Sequence, residues 1–211
     1  MPEPLKLAPD VLQRASRVSL LLLDVDGTLT DGRIVYAEYG DELKCFDVQD
    51  GAGLVFWNRV GLKSAIITAR TSRIVKRRAK EMRIDFLAQG CLLKLPFYER
   101  MLKRFRLIDE QVCAIGDDLM ELPILRRAGL AVAVPNAVDD VKQVSHYVTQ
   151  RAGGHGAVRE VVDLILKAKG LRDQILHRYQ SPMLKESGGQ PSWSTQALKS
   201  PNTTSQSPIT K

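Results

Sequence analysis

Cysteine is scarce: Cys45, Cys91 and Cys113 are the only three in 211 residues, and no two stand in a C-x-x-C spacing. An odd count without a framework excludes a disulfide scaffold and a cysteine-based zinc site, and it fits a reducing compartment. No apolar run approaches the roughly 18 residues a membrane span needs, and the longest, 18–23, is halted by Asp24. The N-terminal stretch carries Glu3, Lys6, Asp10, Arg14 and Arg17 and lacks the charged, apolar, small-residue order of a signal peptide. A cytoplasmic protein with no membrane partner is therefore expected. Acids are the minority charge, 24 against 31 basic residues for a net +7, which favours anionic partners such as phosphate esters or nucleic acid. Aromatics make up 6% and none interleave with the basic residues, so no nucleic-acid partner is expected. Internal repeats are absent.

What is present can fold. Hydrophobic residues reach 44% and charged residues 26%, an ordinary globular balance that excludes wholesale disorder. Up to about residue 170, apolar runs alternate with helical patterns at a β-α-β rhythm. Runs at 18–23, 64–67, 112–115 and 130–134 read as buried strands, with weaker ones at 85–87 and 145–148. Helical patterns cover 51–60, 71–83, 95–105, 119–128 and 157–169, with Pro96 and Pro123 in first turns, where a missing N–H costs little. Arg33-Ile-Val-Tyr36 and Glu42-Leu-Lys-Cys-Phe46 read as a β-hairpin inserted after the first strand. The fold class is α/β, a Rossmann-like three-layer α/β/α domain (1–170) with a mainly parallel sheet and a β-hairpin flap at about 31–46. The extension 171–211, rich in Ser, Gly and Pro, is expected to be disordered.

A parallel sheet with crossover helices places a site at the strands' C-terminal edge. There the first strand ends in Asp24-Val-Asp26-Gly27-Thr28, the second strong one in Thr68-Ala-Arg70, and another in Gly116-Asp117-Asp118, with Glu121 nearby. Lys94 opens the helix after the weak third strand. Two carboxylates at i and i+2 repel unless a cation or a special turn compensates, and Gly27 supplies a turn. An EF-hand fails, because its sixth and twelfth positions hold Leu29 and Val35. Acid clusters without histidine point to Mg2+ rather than zinc. Each motif alone is also an ordinary turn; four of them in this order at strand ends make coincidence improbable.

Asp24-Val-Asp-Gly-Thr28, Thr68, Lys94 and Gly116-Asp-Asp118 resemble the four motifs of the haloacid dehalogenase-like phosphohydrolases. Lys44-Cys-Phe-Asp-Val-Gln-Asp-Gly51, Ile66-Ile-Thr-Ala-Arg70 and Arg151-Ala-Gly-Gly-His-Gly-Ala-Val-Arg-Glu160 narrow the resemblance, from about 17 to 170, to the 3-deoxy-D-manno-octulosonate 8-phosphate phosphatases. The resemblance implies a Mg2+-dependent phosphomonoesterase in lipopolysaccharide synthesis. It makes Asp24 the nucleophile of an aspartyl-phosphate mechanism and Asp26 the acid and base. Thr68 and Lys94 become contacts to the transferring phosphoryl group. Mg2+ is assigned to Asp24, the Asp26 carbonyl and Asp117. The phosphorylated sugar-acid substrate is assigned to Asp26, Asp47, Gln49, Asp50, Gly51, Arg70, Arg78 and Lys94. Four residues beyond Gly51 the family commonly has another arginine, and Val55 stands there, which leaves the identity of the sugar acid open.

The loops add their own argument. The segments 24–68 and 68–94 are filled by the hairpin, two helices and a strand, leaving no room for a cap domain of about 50 residues. An uncapped site excludes water poorly, so the hairpin is expected to pack against other subunits, as the tetramers of the resembled family do. Apart from Arg70 and Arg78, the basic residues of 71–83 read as a solvated face. His155 reads as a loop residue, and the cysteines as buried or half-buried packing. Two other readings stay open: a phosphatase for another sugar-acid or metabolite phosphate, and a non-catalytic assembly module related to sialic-acid-activating enzymes. The intact acids and Lys94 count against the second.

Overall fold

The computed structural model describes residues 8–38, 40 and 42–180. The chain runs α1 (Pro9–Arg17), β1 (Leu20–Leu23), β2 (Val35–Tyr36), β3 (Glu42–Leu43), α2 (Val48–Arg59), β4 (Lys63–Ile67), α3 (Arg73–Glu81) and β5 (Phe86–Ala88). It continues through α4 (Leu95–Phe105), β6 (Val112–Gly116), α5 (Leu122–Leu125), β7 (Leu130–Ala133), α6 (Asp139–Val144), β8 (Tyr147–Val148), α7 (Ala157–Ala168) and α8 (Arg172–Gln180). Four leucines make β1, and all are buried, as a strand covered on both faces requires. It pairs in parallel with β4 on one side and β6 on the other, Leu23 lying opposite Ile66 and Ile115. The sheet order is β5-β4-β1-β6-β7-β8, and every pair is parallel. The chain therefore winds outward in both directions from β1, and its C-terminal tip is the topological switch point where such sheets bind ligands.

Helices α1 and α2 both pack on α7, while α4 and α6 both pack on α5 as a second group. The α2–α7 contact is close because Gly53 carries no Cβ; one there would lie 3.0 Å from Arg159 Cδ. Trp57 on α2 is fully buried, and its indole N–H donates to the Lys63 carbonyl at 2.7 Å, tying the helix to the start of β4. Burying such a ring contributes about 3 kcal/mol.

The expected strands and the inserted antiparallel hairpin are present, Val35 lying opposite Leu43. Helix α2 starts earlier than its apolar pattern, because Asp47 accepts the Gln49 and Asp50 N–H groups as an N-cap. The pattern at 119–128 resolves into a 3-10 turn (Leu119–Glu121) and the single-turn α5. Helices α1 and α6 had no counterpart in the sequence reading. The extension expected to be disordered begins with a helix, α8: Tyr179 stacks edge-on against Phe56 at 5.7 Å and accepts from Arg59 Nη1 at 2.5 Å. The remainder of that extension, 181–211, lies outside the described residues. Cys91 and Cys113 are buried, but Cys45 is exposed rather than packed. Among the described residues no helix is long and apolar enough to cross a membrane.

Candidate active site

The chain leaves β1 at Asp24 and folds into a tight knot. The Val25 carbonyl accepts from the N–H groups of Thr28, Leu29 and Thr30 and from the Thr30 hydroxyl. Gly27 sits at φ +102°, and a Cβ there would fall 2.0 Å from Asp117 Oδ2. Glycine is thus required twice, for the backbone conformation and for the close approach of the next acid. The segment 153–156 packs on this knot within the same chain. Gly154 N–H donates to the Thr28 carbonyl at 3.0 Å, and Asn136 bridges the Gly27 carbonyl (2.9 Å) and the Gly153 N–H (2.8 Å).

Two strand ends and a helix start bring their charges together here. Lys94, the residue before α4, is buried and its ammonium lies 2.5 Å from Asp24 Oδ1 and hydrogen-bonds Glu121. The other Glu121 oxygen accepts the Asp117 and Asp118 N–H groups at 3.2 and 2.9 Å. Asp117 accepts from the Thr28 hydroxyl at 3.3 Å. Asp118 is exposed and caps the following 3-10 turn through the Leu119 N–H. Ligand oxygens of Asp24, Asp117 and Glu121 all lie within 4.8 Å of one another.

The electrostatics follow from this crowding. Burial pushes the Asp24 carboxyl up to about 6, with Lys94 pulling it down and Glu121 pushing it further up. Burial, then the charges of Asp24 and Glu121, push Asp117 up to about 8. Burial works against the Lys94 charge, but its two carboxylate partners outweigh it and hold its pKa above the ordinary lysine value. Three carboxylates around one ammonium leave an excess of negative charge that a divalent cation would neutralise. An all-oxygen donor set of this kind suits Mg2+. Glu121 is already engaged by Lys94 and two backbone N–H groups, so Asp24 and Asp117 are the side chains that fit the ion.

A second cluster adjoins the first. Asp26 Oδ1 accepts from the Lys44 ammonium, which also pairs with Glu42 at 3.3 Å. Arg70 Nη2 meets Glu42 at 2.8 Å, and its Nε lies 3.9 Å from Asp26 Oδ2. The partners Arg70 and Lys44 hold the Glu42 carboxyl below its ordinary value against the upward effect of burial. Sequence reasoning missed Lys44 and Glu42, although a signal existed: on a strand they share one face, opposite Leu43. Asn136 had no such signal.

Of the residues singled out in the sequence, Asp24, Asp26, Lys94, Asp117 and Arg70 belong to these two adjoining clusters. Thr68 is buried at the end of β4, its N–H donating to Ala88 and its carbonyl accepting from Cys91, each at 3.0 Å. Asp47, Gln49, Asp50, Gly51 and Arg78 gather instead around the start of α2. Arg78 donates to the Asp47 carbonyl at 3.1 Å, pairs with Glu81 and lies 5.7 Å over the Phe46 ring. It fills the space beside Gly51, where a Cβ would fall 2.3 Å from its Nη2. Gln49 accepts from Arg151 at 2.7 Å. Asp50 is 1% exposed and turned away from solvent, its Oδ1 accepting the Arg159 N–H at 2.7 Å. Val55 is half-buried on α2, and His155 is exposed in its loop. Arg73, Lys76, Arg77, Lys80 and Arg83 are exposed, a solvated face as expected.

Comparison with known proteins adds independent findings. Residues 62–161 match the family model described as haloacid dehalogenase-like hydrolase. The 3-deoxy-D-manno-octulosonate 8-phosphate phosphatase of Yersinia pestis is 44% identical over 163 residues, 77% of this chain and 87% of that protein. The crystal structure of the enzyme of that name from Moraxella catarrhalis, in complex with magnesium ion, phosphate ion and KDO, superposes with a TM-score of 0.79 at 42% identity, covering 81% of this chain and 98% of that one. A probable yrbi family phosphatase from Pseudomonas syringae superposes with a TM-score of 0.81 at 41% identity, covering 83% and 100%.

Proposed function

The chain belongs to the 3-deoxy-D-manno-octulosonate 8-phosphate phosphatases, within the haloacid dehalogenase-like hydrolases, and we propose that it hydrolyses that sugar-acid phosphate through an aspartyl-phosphate on Asp24. It is a Mg2+-dependent phosphoric monoester hydrolase. The observation that carries the assignment of the nucleophile is the position of Asp24: a buried carboxylate on the tip of the central strand, gripped by Lys94 and facing Asp117.

The residues divide the work as follows. Asp24 attacks phosphorus, forming the acyl–phosphate bond as the ester P–O bond breaks, and Asp26 gives a proton to the departing alcohol oxygen. A water then attacks the phosphoryl group of Asp24, Asp26 takes its proton, and inorganic phosphate leaves. Lys94 and the Thr68 hydroxyl contact the phosphoryl oxygens, where the buried ammonium is worth more than it would be in water. Asp24, Asp117 and the Asp26 carbonyl would hold Mg2+, which would offset the charge that an anionic carboxylate and an anionic phosphoryl group bring together. Arg70 lies beside Asp26, its Nε 3.9 Å from Oδ2, and is the guanidinium best placed for the substrate carboxylate.

The finer parts of the proposal concern setting. The enzyme works in the cytoplasm, on a step of lipopolysaccharide synthesis, and as a tetramer whose hairpins wall the site. Asp47, Gln49, Gly51 and Arg78 shape the entrance at the start of α2. Val55, standing where the family commonly has arginine, favours a second reading in which the ester of a related sugar acid is turned over as well. A phosphate-release screen across sugar-acid, nucleotide and amino-acid phosphates, with and without Mg2+, decides between them. Turnover by Asp24→Asn, with the fold intact, would refute the nucleophile.

A further inference from the structure

Lys44 has no part in the chemistry just described, yet its side chain is 1% exposed. A lysine that deep is retained only where anions replace its water. Its partners are the Oδ1 of Asp26 and, at 3.3 Å, Glu42 on the same hairpin. Glu42 is shared with Arg70 at 2.8 Å, so two cations and two carboxylates form a neutral cluster that joins the hairpin to the floor of the site. Alternation along the hairpin makes this possible: Leu43 points outward, 55% exposed, while Glu42 and Lys44 point to the opposite face. With Oδ1 engaged by Lys44, the other oxygen of Asp26 makes no hydrogen bond among the described residues and lies 3.9 Å from Arg70 Nε.

We propose that Lys44 is a positioning residue for the reaction: by holding Oδ1 of Asp26, it fixes the rotamer that leaves Oδ2 free to carry the proton to the leaving alcohol. The hairpin thereby acts on its own active site in cis, whatever else it contacts. The inference rests on the reading of Asp26 as the leaving-group acid, and the test separates the two.

The measurement is kcat/KM, which reports phosphoryl transfer to Asp24, for an alkyl phosphate and for p-nitrophenyl phosphate, whose leaving group departs without a proton. Asp26→Asn is expected to lose about 100-fold on the alkyl ester and little on the aryl ester. Lys44→Met is expected to show the same selectivity with a loss of about 10-fold or more, and no added loss in the Asp26→Asn background. Lys44→Arg, which keeps the cation, is expected to retain the fold and recover part of the alkyl-ester rate. If Lys44→Met does not fold, Lys44→Arg alone is judged by the same comparison of esters. An equal loss on both esters in a Lys44 variant, or an additive loss in the double variant, overturns the inference while Asp26 stands. An equal loss on both esters in Asp26→Asn overturns the acid assignment and the Lys44 inference with it.

Discussion

Asp117 shows how one side chain couples metal, pH and stability. Its carboxyl is raised from an ordinary 3.8 to about 8 in the folded chain, so between those values the folded state holds a proton that the unfolded state has released. Stability therefore falls as pH rises through that interval. Asp24, raised to about 6, adds to the same slope. A cation that takes the place of the protons removes this cost, so Mg2+ should raise the melting temperature more near pH 8 than near pH 5. At saturation the gain is about 5–10 °C for a chain of this size, and calorimetry at the two pH values checks it. Asp117→Asn should abolish most of the Mg2+-dependent gain. Gly27→Ala attacks the same geometry from the backbone: a methyl 2.0 Å from Asp117 Oδ2, on a residue at φ +102°, must push the carboxylate aside. A loss of roughly tenfold or more in Mg2+ affinity is expected, at about 1–3 kcal/mol in strain. Unchanged affinity by calorimetric titration would show that Asp117 does not hold the ion.

Helix α7 shows where sequence reading stops. Its apolar period was legible at 157–169, as was its glycine-rich approach, but the residue completing its N-terminus comes from α2. Gly156 offers no capping side chain, and Asp50 of α2 accepts the Arg159 N–H instead. Sequence placed Asp50 among the substrate residues; the structure shows it buried and accepting an N–H of α7's first turn, a relation across 109 residues that no local pattern can display. The strands and most helices were legible for the converse reason, since an apolar run or a 3.6-residue period is local. Helix α6, whose short span buries only Val141, gave no such signal. The charged faces of the hairpin were half legible, because alternation gives their side but not their partners. Burial, against the pull of the Arg159 N–H, lifts Asp50 to about 6, above the ordinary 3.8, so this group also costs stability as pH rises from about 4 to about 6. Asp50→Asn keeps an acceptor oxygen and cannot ionise, so its urea-unfolding free energy should lose that decline. Asp50→Ala leaves the Arg159 N–H without its acceptor and should cost about 1–2 kcal/mol near pH 4, where the parent's Asp50 is protonated, and less as pH rises and the parent loses its own stability. An Asn variant with the parent's pH slope would remove Asp50 from the account.

At the scale of the whole molecule, the two faces of the hairpin have opposite characters. One face binds Asp26 through Lys44; the other presents Val35 and Leu43, directly opposed across the two strands and 46% and 55% exposed, beside Ile34 at 45%. A two-stranded ribbon is marginally stable alone in water, and in the proposed tetramer this apolar face is the one a neighbouring subunit would cover. The acids, Lys94 and Arg70 all come from one chain, so assembly is not needed to bring the charges together. What an uncapped site lacks is a wall, and a neighbour's hairpin would supply one. The double substitution Val35→Ser, Leu43→Ser should therefore convert an oligomer into a monomer of 23.5 kDa by sizing with light scattering. Because Lys44 and the catalytic groups remain in place, kcat should fall less than about threefold while KM for the sugar-acid ester rises about tenfold. A parent that is already monomeric and fully active would refute the wall. A variant that stays oligomeric would move the interface elsewhere, and a monomer whose kcat collapses would mean that the neighbour supplies more than a surface.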